Sequence, residues 1–148
     1  RMSFDSLITL TKNSSSYLAL NVKADGLLGI LKLSSPMNFF FDMSAPETLN
    51  YSRTENSIAL RMSDLETELF PKGVKADWLW LDSFEDDWFI EQDLSRFADY
   101  KGVVIVSPEL HGRPKTEAWN FVVSNWRQFP NLCICTDFPT EFFTEMVK

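Results

Sequence analysis

The sequence predicts an α/β fold of parallel strands, most of a TIM-type (β/α) barrel, with about six strands alternating with helices. Three observations predict it. Strand-length apolar runs begin near positions 18, 38, 58, 77, 103 and 132. Helix-length or loop segments separate them, and strand alternating with helix means parallel pairing through right-handed crossovers. Each run is apolar almost throughout and then ends in a small polar cluster, the pattern of a strand covered on both faces with chemistry at its carboxyl end.

The elements follow in order. Ser3 is placed to cap a short helix in which Phe4, Leu7 and Ile8 keep the helical period. Asn13 to Ser16 is a polar break. Tyr17–Lys23 reads as a strand, Leu27–Leu33 as a short helix opened by Asp25-Gly26 and ended by Ser34-Ser35-Pro36. Asn38–Ser44 is the next strand, and Pro46 suits the first turn of the helix after it. Ser57–Ser63 is a third strand and Asp64–Gly73 a loop with at most one helical turn. Ala76–Asp82 is a fourth strand. Glu85–Phe97 reads as a helix whose first turn carries Glu85, Asp86 and Asp87, acids that suit the positive end of the helix dipole. Gly102–Ser107 is a fifth strand, Thr116–Phe129 a helix, Leu132–Thr136 a sixth strand and Thr140–Lys148 a closing helix.

No linker or low-complexity stretch divides residues 1–148, so a single domain is expected. The chain has 148 residues, whereas a complete eightfold barrel usually needs about 200–250. It starts at Arg1, which is read as a trimmed or partial chain. The net charge of −7, with no basic run, argues against a nucleic-acid partner. No apolar run reaches the roughly 20 residues that span a bilayer, so no membrane span is expected. The two cysteines, Cys133 and Cys135, lie two apart on one strand and share a face, which disfavours a mutual disulfide. They are read as reduced core thiols, slightly favouring a cytosolic context. The sequons at Asn13 and Asn50 are taken as chance.

The candidate site residues are those at the strand ends. Period-two alternation puts Asn21 with Lys23, Asp42 with Ser44, and Arg61 with Ser63 on common faces. Asp82-Ser83, the segment Ser107 to Arg113, and Thr136-Asp137 complete the rim. Plainer roles stand beside these. Lys23 has Asp42 or Asp82 as a possible ion-pair partner, Asp42 could cap the next helix, and Asp137 could serve as a turn residue. His111, the single histidine, lies in a loop beside Glu109, where it could transfer protons or anchor a ligand.

Taken in order, Ser3-Phe4-Asp5-Ser6-Leu7, Leu20-Asn21-Val22-Lys23, Phe41-Asp42-Met43-Ser44-Ala45-Pro46-Glu47 and Thr136-Asp137-Phe138-Pro139 resemble the glycerophosphodiester phosphodiesterase family, within the phosphatidylinositol phospholipase C-like phosphodiesterases. The resemblance implies strands 3 to 8 of a barrel, lipid metabolism, and hydrolysis of a small phosphodiester assisted by a divalent cation, Mg²⁺ or Ca²⁺. It implies that Lys23 holds a phosphate oxygen. It places Asn21 where the family carries a metal-binding Glu, which weakens metal binding by this chain. The family's His-Arg pair and acidic pair have no counterpart here, so little or no activity is expected of the chain alone. Lys23, His111 and Glu109 are the candidate catalytic groups of the chain, with Arg113, Asp42, Arg61 and Asp82 as substrate contacts. Two other readings compete. One is a barrel glycoside hydrolase using Asp82 and Glu109 as its carboxylate pair. The other is a non-catalytic binding or assembly module, whose open sheet edge would pair with a second copy.

Overall fold

A computed structural model of the chain describes residues 2–12, 14–33, 35, 37–69 and 71–147. The break expected at Asn13, the helix stop at Ser34 and Pro36, Phe70 of the expected loop and Lys148 of the closing helix lie outside them. The architecture is mixed α/β, with all strand pairs parallel. Helix α1 (Phe4–Thr11) is followed by strands β1 (Ala19–Asn21) and β2 (Phe39–Phe41), helix α2 (Ala45–Tyr51), and strands β3 (Ala59–Met62), β4 (Trp78–Leu81) and β5 (Gly102–Val106). Helix α3 (Thr116–Asn125), strand β6 (Leu132–Cys135) and helix α4 (Pro139–Met146) complete the order.

Helix starts follow local chemistry. Ser3 Oγ accepts from the Ser6 backbone N–H at 3.2 Å, capping α1. Ser44, not Asp42, caps α2, accepting from Glu47 N–H at 3.4 Å, with Pro46 in the first turn. Two expected helices are corrected. Leu27–Leu33 is a single turn, in which the N–H groups of Ile30 and Leu31 both reach the Leu27 carbonyl at 2.9 Å. A seven-residue segment holding Gly29 gains too few hydrogen bonds to offset helix nucleation. Glu85–Phe97 forms two separate 3₁₀ turns, Trp88–Glu91 and Leu94–Phe97. The N–H groups of Phe84, Glu85 and Asp86 all donate to Asp64, which holds this acidic opening as a loop ahead of the first turn. Asp93 then takes the Ser95 N–H at 2.9 Å and begins the second turn afresh.

Strands β3-β4-β5-β6 form one sheet in chain order, and β1-β2 form a second. A single parallel bridge, Phe40 to Ile58, connects the two sheets, with Phe40 N–H donating to the Ser57 carbonyl at 3.0 Å. Each strand therefore lies beside its sequence neighbour from β1 to β6.

Alternation divides each strand between two cores. Leu60, Met62, Leu79, Leu81, Val103 and Ile105 face outward, beneath the 3₁₀ turns, α3 and α4, where Phe89, Phe97, Trp119 and Phe142 close over them. The opposite face carries Phe39, Phe41, Ala59, Trp78 and Val104, with Trp80, Cys133 and Cys135 packed against them. There Phe39 stacks on Trp78 and Phe41 on Trp80, with ring centroids 4.4 and 4.1 Å apart. Ala59 lies in the same cluster on the strand between these pairs, and its small side chain leaves the rings room to meet. Gly102 serves the same purpose on the other side: a Cβ there would stand 2.0 Å from the Trp78 ring. Large and small residues thus alternate across the strands, so that the rings pack without overlap. Both cysteines are free thiols, and burial raises the pKa of each; Asp137, Asp82 and Glu109 push Cys135 up further. Among the described residues no helix is long and apolar enough to cross a membrane.

Candidate active site at the strand ends

The strand ends carry three polar clusters. The first centres on Asp42. Immediately after β2 its backbone turns into the left-handed region, φ 59°, which is uncommon outside glycine but tolerated by Asp. Its carboxylate collects donors from both neighbouring strands. Lys23 Nζ and Asn21 Nδ2 bond to Oδ2, the latter at 3.2 Å, and Arg61 Nη1 reaches Oδ1 at 3.2 Å. Arg61 turns its other edge to Glu66, with both Nε and Nη2 at 2.7 Å. Asp42, Arg61, Glu66 and Lys72 border a cavity of about 420 Å³. Lys23 is 71% exposed, so its ion pair with Asp42 is water-screened and adds little stability. The structure thus realises the plainer role foreseen for Lys23 while keeping it at the rim.

The second cluster is more deeply set. Asp82 follows β4 and is 7% exposed. Its Oδ1 lies 2.7 Å from His111 Nε2 and also accepts the Ser83 N–H at 3.1 Å. His111 ends a 3₁₀ turn, Pro108–His111, which Gly112 terminates at φ 73°. The imidazole packs on Phe84 at 4.7 Å between ring centroids, and the Arg61 guanidinium lies 6.0 Å from the same ring. Phe84 thereby joins the first cluster to the second. Arg113 donates to Asp87 at 2.7 Å and to the Ser83 carbonyl at 3.2 Å, which pins the His111 loop to the loop after β4. That loop is pinned from the other side by Asp64, which accepts from Phe84, Glu85 and Asp86 N–H at 3.0, 2.5 and 3.1 Å. Burial works to raise the Asp64 pKa, but these backbone donors outweigh it and the net shift is downward.

Glu109 makes the third cluster. The Ser107 and Thr136 hydroxyls donate to its two oxygens, and the Asp137 N–H adds a bond at 3.3 Å. Trp119 Nε1 donates in turn to Ser107 Oγ at 2.8 Å. Burial pushes the Glu109 carboxyl upward, yet the donors from Ser107, Thr136 and Asp137 prevail and hold it below the ordinary Glu value. Glu109 is therefore an ionised acceptor that ties the β5 end to the β6 end. The acid of a glycosidase pair needs the opposite shift.

Among the described residues no three His, Cys, Asp or Glu side chains gather into a group able to hold a metal ion. Asn21, the expected metal-facing residue, turns its amide to Asp42 instead.

Compared with family models, curated proteins and solved structures, the chain finds no match in any of the three. Asn21, Lys23, Asp42 and Arg61 come together, as do Asp82 and His111, with Arg113 alongside and Glu109 in a cluster of its own. Phe84 and Trp119 were not singled out from the sequence, and Asp64 entered only as the polar residue after the third strand. Asp87 lies inside the acidic run read as helix initiation. Their contacts span 12 to 27 positions of sequence, beyond the reach of any local pattern.

Proposed function

We propose that the chain is a phosphodiester hydrolase-like protein, built as part of a (β/α) barrel, with its chemistry at the strand ends. The observation that carries this reading is the His111–Asp82 pair, a buried carboxylate gripping the single imidazole of the chain at 2.7 Å on a rim that also holds Lys23, Arg61 and Arg113. Strands adjacent in space in chain order are what a barrel segment requires, and this supports the partial-barrel reading.

With Nε2 carrying the proton toward Asp82, Nδ1 is left as the acceptor. In that state His111 removes a proton from a water attacking phosphorus, while Asp82 stabilises the imidazolium that forms. Returning the proton to the departing alkoxide completes the cycle and breaks the P–O bond. Arg61 and Lys23 supply positive charge for the phosphoryl oxygens. No step is routed through a metal ion.

The test is hydrolysis and equilibrium binding of bis(4-nitrophenyl) phosphate, with and without Mg²⁺ or Ca²⁺. Weak turnover is expected, lowered about 10²- to 10⁴-fold by His111→Ala. Lys23→Ala is expected to weaken binding of the diester. A chain that neither binds nor cleaves the diester ends this reading, as does a His111→Ala variant with unchanged turnover.

A second reading is supported by the position of β1 and β6 at the two ends of the strand order. Open edges favour pairing with another copy of the chain. Sedimentation equilibrium tests it, and a monomer at all concentrations discards it.

A further inference from the structure

Three consecutive backbone amides, those of Phe84, Glu85 and Asp86, converge on one carboxylate, that of Asp64. Phe84 N–H meets one carboxylate oxygen at 3.0 Å, while Glu85 and Asp86 meet the other at 2.5 and 3.1 Å. Successive N–H groups pointing into one concavity are a fixed source of partial positive charge and bind anions without a cationic side chain. Three further observations distinguish this loop from a plain Asp-anchored turn. His111 and Arg61 flank the Phe84 ring from two directions. Arg113 bonds to the carbonyl of the preceding residue, Ser83, and neutralises Asp87, the acid that follows the three amides. Asp64 itself comes from the β3–β4 loop, whose Glu66, Thr67 and Leu69 border the cavity of about 420 Å³ at the strand ends.

We propose that the amides of Phe84, Glu85 and Asp86 form an anion-binding nest at the rim, that the Asp64 carboxylate is its built-in occupant, and that a phosphate oxyanion takes the same place. Choosing phosphate rests on the phosphodiester reading above; the nest itself does not. The exchange is charge for charge: a carboxylate leaves the donors and a phosphate oxygen pair meets them. Glu85 and Asp86 are exposed and still add negative charge nearby, so the nest favours a singly charged diester or monoanion over a dianion. Asp64 then acts as an autoinhibitory plug that the anion displaces from the three amides.

The experiment pairs Asp64→Ala with inorganic phosphate as the probe. Removing the plug lowers the melting temperature. Saturating phosphate then raises it by about 3–5 °C, chloride at equal ionic strength does not, and wild type responds less. In ¹H–¹⁵N spectra the shifts concentrate on the Phe84, Glu85 and Asp86 amides. Equal melting in phosphate and chloride overturns the proposal, and so do phosphate shifts that leave these three amides unmoved. If Asp64→Ala does not fold, the same titration on Asp64→Asn decides by the same criterion. Phosphate seated at these amides in a protein that cleaves no phosphodiester upholds the nest and counts against the hydrolase reading alone.

Discussion

His111 Nε2 stands 2.7 Å from Asp82 Oδ1, so the loop after β5 is tied to the end of β4 by one hydrogen bond across 29 positions of sequence. Both partners are largely shielded, with side chains 24% and 11% exposed. Removing the carboxylate strands the imidazole N–H. Asp82→Ala should destabilise the fold by about 1–3 kcal/mol. Asp82→Asn, which keeps an acceptor oxygen, should lose less. Urea unfolding ranks the two, and Asp82→Ala as stable as wild type would show that the contact carries no stability.

Gly102 lies under the six-membered ring of Trp78, its register partner on β4. A methyl group at Gly102 would stand 2.0 to 2.8 Å from three ring atoms, far inside contact distance. Gly102→Ala is expected to cost about 1–3 kcal/mol by overpacking. Trp78→Phe should recover part of this in the double variant, because the smaller ring vacates the contact and also removes a buried indole N–H that has no partner among the described residues. A double-mutant cycle in thermal unfolding measures the coupling. Additive effects would show that the two residues do not compete for the same space.

Glu109 sets a pH dependence of known sign. Its folded-state pKa lies below the ordinary value because its hydrogen bonds outweigh burial. A carboxyl depressed in the folded state contributes stability that is complete above its unfolded pKa and is lost as pH falls through its folded pKa. Wild type should therefore exceed Glu109→Gln in stability at pH 7. The gap should narrow once pH drops below the usual Glu range and close below the depressed value. Urea midpoints of both proteins from pH 7 to 3 check this, and a gap independent of pH would contradict it.

Much of the frame was legible in the sequence. The six strand positions were set by apolar runs of strand length, and each observed strand falls inside its expected segment. Their parallel pairing followed from alternation with helices and loops. The polar clusters at the strand ends followed too, since polarity changes abruptly after each run. The helix start at Ser3 was within reach because a cap acts over three residues, whereas the cap offered to Asp42 belongs to Ser44. The break of Glu85–Phe97 into two 3₁₀ turns was not within reach, and the Asp64 carboxylate that fixes the loop before them lies some 20 residues upstream.

By itself, then, the sequence determined the strands, their direction and the end of the sheet that carries charge, because side-chain periodicity and turn chemistry are local. Tertiary structure alone decided the pairings. Lys23 could have met Asp42 or Asp82, and the fold gave it Asp42, leaving Asp82 for His111. It also made Glu109 a tether between β5 and β6 and converted an acidic run into a row of amides around Asp64. Such choices depend on which strand ends lie side by side and how far each loop reaches, distances that exist only once the sheets have formed.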